Sequence, residues 1–599
     1  MTTTPATGSS VCVIGSGPAG LITAHVLVQD GFRDMQVLTR DASPGGVWSR
    51  ERMYPSVVVN NVHGEYCFSP LPIPPSVLAD KRVSGIETQA YMEQFADIFL
   101  KGHIQYNIEV LKVHRDDGSG IWSVDVLDKK TSTRKVLTYD KVVVCTGGCS
   151  SPFIPDSLSP ASDKNSGFFG PVIHSSEFAQ KAEEIINAAE GASDDDFNIV
   201  VVGGGKSAQD ICVRLAQEKL PVTLVLDTPN AVVAAPFALP DFIRRSRLGD
   251  KPDGAPYSPQ NKNRAFPSYN LAGEQDCPWV LECPANVLAL SIPPDSPLRQ
   301  STSLFWSTRA NDEGTPRKDG FYSLINSGSI KLAAPERVSG YGEDGQSIIL
   351  NSGTKVKASI VIYATGFQSS WSGLFDGHTE ERLGLSGREW YPQPATDEWS
   401  SYKTLDDPPE IQKDVIDPQI YRGIVPARNI ARADFAINGS IFSAHSACTY
   451  EVTAHWISSY FLGDLKYLPS STEEALTHTA RNAAWIRKRY PGVLYKINES
   501  FTSDIVFWAW PQQMDDLRED MGVMGANDPW NWLTWPFKVV GVDDLKDLKR
   551  QRETAREQKH YDVAQDGGSS KRSTTVVTVT PEDANDDDAS LGAGTSCKE

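Results

Sequence analysis

Basic residues are in short supply in this chain of 599 residues: 57 Lys and Arg stand against 76 Asp and Glu, leaving a net charge of -19. Nucleic acid and anionic lipid both need a basic surface to dock on, so the balance argues against both partners. No uncharged apolar run is long enough to cross a bilayer. The nearest candidate, 11–28, is broken by Gly15, Gly17, Pro18 and Gly20, and no basic segment precedes it. It reads as a strand, a turn and a helix rather than a signal peptide. The nine cysteines include no C-x-x-C pair. That argues against a disulfide-exchange centre, a metal site or a disulfide framework, and for free thiols in a reducing compartment. The expectation is a soluble cytoplasmic protein without a metal.

What is present is a pair of glycine-rich turns, each set between a strand and a helix. Val11–Ile14 reads as a buried strand, 21–29 as a helix, Gly31 as its C-cap and 36–38 as the next strand. The turn Gly15, Gly17, Gly20 fits G-x-G-x-x-G. In that pattern the first glycine makes the tight turn, the second lets the backbone approach a pyrophosphate, and the third lets helix and strand pack. The helix N-terminus then faces the phosphates. The same plan returns with the β-branched run Ile199–Val202, the turn Gly203, Gly205, Lys206, Ser207, Ala208, a helix over 207–219 and a strand over 222–226. Two dinucleotide turns in one chain point to a flavin and to the hydride donor that reduces it.

The residues between and after these turns carry a resemblance. Phe168, Gly170, His174 and Phe178 fill the fixed positions of F-x-G-x3-H-x3-aromatic. Here the sequence resembles the flavin-containing monooxygenases and their Baeyer–Villiger relatives. Gly45, Gly46 and Trp48 look like the family's G-G-x-W turn, and Tyr54 to Asn60 like its Y-x-S-V-x-x-N segment. Thr146–Gly147 and Thr365–Gly366 look like its two T-G segments, and 439–456 like its last FAD-side turn and helix. The likeness runs from about 10 to 465.

The resemblance implies an α/β fold of two Rossmann-like domains, the nicotinamide domain inserted in the FAD domain. The boundaries expected are FAD over 10–165 and 340–470, and NAD(P)H over 166–339 with an irregular insertion from 236 to 317. A loose 1–9, a Trp-rich region over 471–554 and a disordered acidic tail over 555–599 complete the chain. The six tryptophans of 471–540 call for burial, in a core or beside a substrate. The resemblance also implies FAD, NADPH, O2 and a small-molecule substrate, reacting through a C4a-(hydro)peroxyflavin, with Asn60 as the catalytic amide.

Two departures stand out. The second strand of the first unit ends on Thr39, Arg40 and Asp41, where the family has Glu for the ribose, so Asp41 is the candidate contact. The matching place in the second unit holds Asp227, where the family has Arg for the 2'-phosphate of NADPH. Asp there fits NADH, whereas Lys206 or the cluster Arg244, Arg245, Arg247 would serve a phosphate. Because the motif ends on Phe178 and Ala179 rather than Trp followed by Pro or Asp, oxygenation at N or S is expected. The alternatives are Baeyer–Villiger oxidation of a ketone, a flavin-dependent quinone or disulfide reductase, and a non-catalytic nucleotide-binding scaffold.

Overall fold

A computed structural model describes residues 6–75, 82–159, 167–190, 197–232, 241–247, 292–300, 310–311, 319–385, 419–489, 503–507, 509–523 and 537–569. Most of the expected insertion over 236–317, five of the six tryptophans' side chains and the tail beyond 569 lie outside these residues.

Ten strands build the two central sheets. In chain order they are β1 (Val11–Ile14), β2 (Met35–Thr39), β3 (Ile104–Tyr106), β4 (Lys141–Val144), β5 (Val172–His174), β6 (Ile199–Val202), β7 (Val222–Val225), β8 (Ile330–Ala333), β9 (Ile360–Tyr363) and β10 (Phe435–Ile437). The first sheet has the order β10-β4-β1-β2-β3 and the second β5-β9-β6-β7-β8. Every neighbouring pair in both is parallel. β1 and β6 lie in the middle of their sheets and are buried at all four positions, which is why both read as unbroken apolar runs. Each sheet also inserts a three-stranded antiparallel ribbon just before a strand flanking its centre: 108–139 before β4, and 338–357 before β9. The two halves therefore share one plan, with the whole second sheet falling in sequence between β4 and β10.

Four helices frame the glycine turns and the C-terminal contacts: α1 (Pro18–Gln29), α2 (Lys206–Gln217), α3 (Ser446–Leu462) and α4 (Trp510–Asp520). α1 begins three residues earlier than the apolar pattern suggests, because Pro18 supplies a helical φ at the first position. It packs on α3. α4 is held by buried ion pairs: Asp516 and Asp520 take Arg422 at 3.1 and 3.0 Å, and Asp515 takes Arg247 at 2.7 Å. Such pairs fix a geometry more than they stabilise it. Trp510 is buried, as expected, and stacks on His445 at 4.3 Å.

Two expected boundaries are corrected. β9, expected in the FAD-binding stretch from 340, pairs in the second sheet, and the ribbon before it forms a small sheet of its own. The chain divides into compact units Met1–Arg552 and Glu553–Glu599. The described part of the second is helical to Ser569, where a loose tail from 555 was expected.

Candidate functional site

The first glycine turn floors a cleft of about 410 Å3. Gly15 has φ +109°, and a Cβ there would stand 2.5 Å from the Cys145 carbonyl oxygen, so only glycine fits. A Cβ on Gly20 would meet the Gly15 carbonyl oxygen at 1.9 Å, which makes Gly20 a packing glycine. Gly17 differs: its φ is -68°, and the nearest atom to a Cβ is the Gly46 Cα, 3.9 Å away. Nothing in the protein forbids a side chain at Gly17, yet the residue lines the cleft. The Gly45–Gly46 turn is tied to the loop by Gly45 N–H donating to the Ser16 carbonyl at 2.8 Å. Trp48 backs that turn, its Nε1 donating to the Tyr66 hydroxyl at 3.0 Å.

Asp41, Thr146 and Gly147 line the same cleft. Asp41 stands at the end of β2 and takes Arg52 at 3.1 Å. Arg40 lines the cleft too and donates to the Ser150 carbonyl. Burial pulls its pKa down. Two guanidiniums beside one carboxylate suit a ligand carrying both phosphates and hydroxyls. The Thr146 hydroxyl pairs with Ser370 at 2.7 Å, and Ser370 donates to the Gly147 carbonyl at 3.0 Å. The sequence reading missed Arg40, Arg52 and Ser370, since nothing local marks them. A backbone cradle with room left at Gly17 fits a dinucleotide pyrophosphate such as that of FAD.

The second loop repeats the first atom for atom in its key contacts. Gly203 has φ +139°, and a Cβ there would lie 2.3 Å from the Ala364 carbonyl oxygen. Its N–H donates to the Val225 carbonyl at 2.9 Å, as Gly15 N–H donates to Leu38 at 2.9 Å. Gly205 caps α2 with φ -87° and, like Gly17, is open: the nearest atom to a Cβ is Asn230 Nδ2 at 3.7 Å. Ala208 fills the third position and is fully buried, and Ser207 is exposed at the helix start. Lys206 pairs with Asp210, and Asp227 with Arg337 at 2.6 Å. Of the proposed arginine cluster, Arg245 donates to the Val540 carbonyl at 2.9 Å and Arg247 to Asp515. These two turn toward the C-terminal region rather than toward Asp227.

His174, Thr365 and Gly366 work together, but not on the cleft. His174 is buried; its Nε2 donates to the Gly366 carbonyl at 2.9 Å while Nδ1 accepts from Ser176 N–H at 3.2 Å. Burial lowers its pKa, which keeps the ring neutral with one donor and one acceptor. The Thr365 hydroxyl donates to the Phe153 carbonyl at 2.5 Å. These three were expected to touch a cofactor. They fasten the strands by which the chain crosses between the two sheets, where 151–152 pairs antiparallel with 367–368.

Asn60 is exposed on the strand Val58–Val62, whereas its neighbour Asn61 is committed, donating to the Ala444 carbonyl at 2.8 Å. That bond ties the segment to the turn before α3. The same segment reaches the second sheet, because Tyr54 packs edge-on against Phe178 at 4.9 Å. Among the described residues no cluster of metal-ligating side chains occurs, and no helix is long and apolar enough to cross a membrane.

Residues 8–234 match the model of the flavin-binding monooxygenase-like family. Over 530 residues the chain is 28% identical to an FAD-dependent monooxygenase of Aspergillus sclerotiorum, covering 80% of this chain and 88% of that one. A Baeyer–Villiger monooxygenase of Streptomyces coelicolor is 32% identical over 37% of this chain and 38% of its own length. An N-oxide-forming dimethylaniline monooxygenase of Oryctolagus cuniculus is 31% identical over 35% and 38%. In three dimensions the chain resembles cyclohexanone monooxygenase of Rhodococcus sp. Phi1 bound to NADP+, with a TM-score of 0.53, 17% identity and coverage of 86% and 97%.

Proposed function

We propose that this chain, whose residues 8–234 match the flavin-binding monooxygenase-like family, is an FAD-dependent monooxygenase that uses NADPH and O2 to oxygenate a small organic molecule at nitrogen or sulfur. The balance is substrate, O2, NADPH and one proton giving oxygenated substrate, NADP+ and water. The duplicated loop carries this reading: two glycine turns of one geometry, each with a single open glycine, in one chain. FAD would lie on the first, against Gly15, Gly17, Asp41, Gly46, Thr146 and Gly147. NADPH would lie on the second, against Gly203, Gly205, Lys206, Ser207 and Asp227. When bound, FAD supplies the two-electron chemistry that lets O2 react with the substrate.

The chain's own part is binding, orientation and exclusion of water. Backbone N–H groups at the starts of α1 and α2 meet the two pyrophosphates. Asn60 serves as the amide at the reacting end, a donor that is no proton sink. A nitrogen or sulfur substrate needs no acid or base from the protein, and the motif ending on Phe178 and Ala179 favours it. The likeness to the Streptomyces coelicolor enzyme favours a second reading, Baeyer–Villiger oxidation of a ketone. Turnover with 18O2, NADPH and a panel of one tertiary amine, one thioether and one cyclic ketone separates them. One labelled oxygen in an N-oxide or sulfoxide supports the first reading, and a labelled lactone the second. NADPH oxidation with no label in any product, across a widened panel, sinks both.

A further inference from the structure

The second loop's strand β7 ends on a carboxylate, Asp227, at the place where a dinucleotide's adenosine ribose sits. An acid there accepts from a 2'-hydroxyl and repels a 2'-phosphate. The fold answers that repulsion with a residue from elsewhere in the chain. β8 pairs alongside β7, and the backbone contact continues past both strands: Leu226 N–H donates to the Ala333 carbonyl at 3.1 Å, and Glu336 N–H donates to the Leu226 carbonyl at 2.8 Å. Arg337 is therefore delivered beside Asp227 by main-chain bonds. Its backbone is fixed a second time, by Asn351: Arg337 N–H donates to Asn351 Oδ1 at 3.1 Å, and Asn351 N–H donates to the Arg337 carbonyl at 2.9 Å. The guanidinium then makes a two-pronged contact with Asp227 Oδ2, from Nε at 3.0 Å and Nη2 at 2.6 Å.

Position and exposure make this pair a site rather than a strut. A Cβ on Gly204 would lie 2.6 Å from the Thr228 carbonyl oxygen, so the residues just after Asp227 press directly on the loop. The Asp227 and Arg337 side chains are 42% and 74% exposed, so a ligand on the loop has access to both. An ion pair this exposed adds little to stability, so it is free to exchange partners. Lys206, the cation nearest in sequence, is engaged with Asp210.

We propose that Arg337 selects the phosphorylated nicotinamide nucleotide, releasing Asp227 to bind the 2'-phosphate, while Asp227 alone would favour the unphosphorylated one. The inference rests on the reading of the second loop as the nicotinamide site. Titrating NADP+ and NAD+ into the flavin-loaded protein by calorimetry tests it. Wild type should bind NADP+ more tightly. Arg337→Gln should weaken NADP+ by about ten- to a hundredfold, the range of one or two charge-assisted bonds. It should leave NAD+ within about threefold, and Arg337→Lys should restore part of the loss. A variant that merely misfolds would weaken both nucleotides together, so the ratio is the reading that counts. An unchanged ratio in Arg337→Gln, or a wild type that prefers NAD+, overturns the role of Arg337 and leaves the loop assignment standing. A wild type that binds neither nucleotide overturns both.

Discussion

Replacing Gly17 with alanine separates cofactor binding from folding more sharply than any other change in the first loop. The backbone at Gly17 is extended, with φ -68° and ψ 176°, a conformation open to any residue. An added methyl meets its nearest protein atom at 3.9 Å, ordinary van der Waals contact. The fold therefore loses nothing, and a Gly to Ala change at a compatible position stabilises by about 0.4–1 kcal/mol through the unfolded chain. The ligand has no such latitude. The methyl projects from the cleft floor, where the pyrophosphate must come within hydrogen-bond reach of the backbone. Lifting it off two charge-assisted bonds, at roughly 1.5–3 kcal/mol each, costs about 3–6 kcal/mol, more than a hundredfold in affinity. Gly20→Ala is the control: its methyl would overlap the Gly15 carbonyl at 1.9 Å, so it should damage the fold whether or not flavin is present. The assay is flavin per chain by absorbance after purification, FAD titration of the stripped protein, and thermal unfolding of the apoprotein. A Gly17→Ala protein with wild-type FAD affinity, or one whose apoprotein unfolds several degrees early, would refute the reasoning.

Gly205→Ala should mirror this at the second loop, weakening NADPH by at least tenfold with flavin content unchanged; loss of flavin as well would deny the loops separate ligands. Asn60→Ala should keep its flavin and divert a larger share of NADPH oxidation to hydrogen peroxide, read with a peroxide-specific dye, and unchanged coupling removes Asn60 from the mechanism. Glu451 is buried on α3, where its carboxylate accepts from Ser69 N–H at 2.9 Å, and burial pushes its pKa up to about 7. A folded pKa above the unfolded value means stability present at acid pH and lost as pH rises from near 4 through 7, by roughly 3 kcal/mol. Glu451→Gln should flatten that decline, unfolding at higher denaturant than wild type at pH 8; a parallel pH profile would show that Glu451 does not titrate in the fold.

Whatever repeats locally is legible in the sequence. The strands at Val11–Ile14 and Ile199–Val202 can be read to the residue, because a central parallel strand is apolar throughout and a glycine turn bounds it. The cradle residues follow from spacing. What the sequence hides depends on pairing between distant segments. Arg337 lies 110 residues from Asp227 and meets it only because β8 lies beside β7. His174 reads as a cofactor contact because its motif sits between the loops; only the tertiary path shows both ring nitrogens turned to Ser176 and Gly366. The boundary at 340 fails for a similar reason. A Thr-Gly turn after an apolar strand looks alike in both halves, and only sheet register tells which half owns β9.

The crossing between the halves is narrow. The chain leaves the first sheet through 151–152 and comes back through 367–368, and these segments are paired as neighbouring strands. Exit and entrance are thus a single doorway about 5 Å wide. Everything between them is a pendant with its own sheet, ribbon and glycine loop, stitched to the rest of the chain also by Tyr54 against Phe178 and by Arg247 with Asp515. The length or content of the pendant can change without altering the spacing at the doorway, and a linker of a few residues from Pro152 to Phe367 would span it. Such a molecule keeps every strand of the first sheet and no strand of the second.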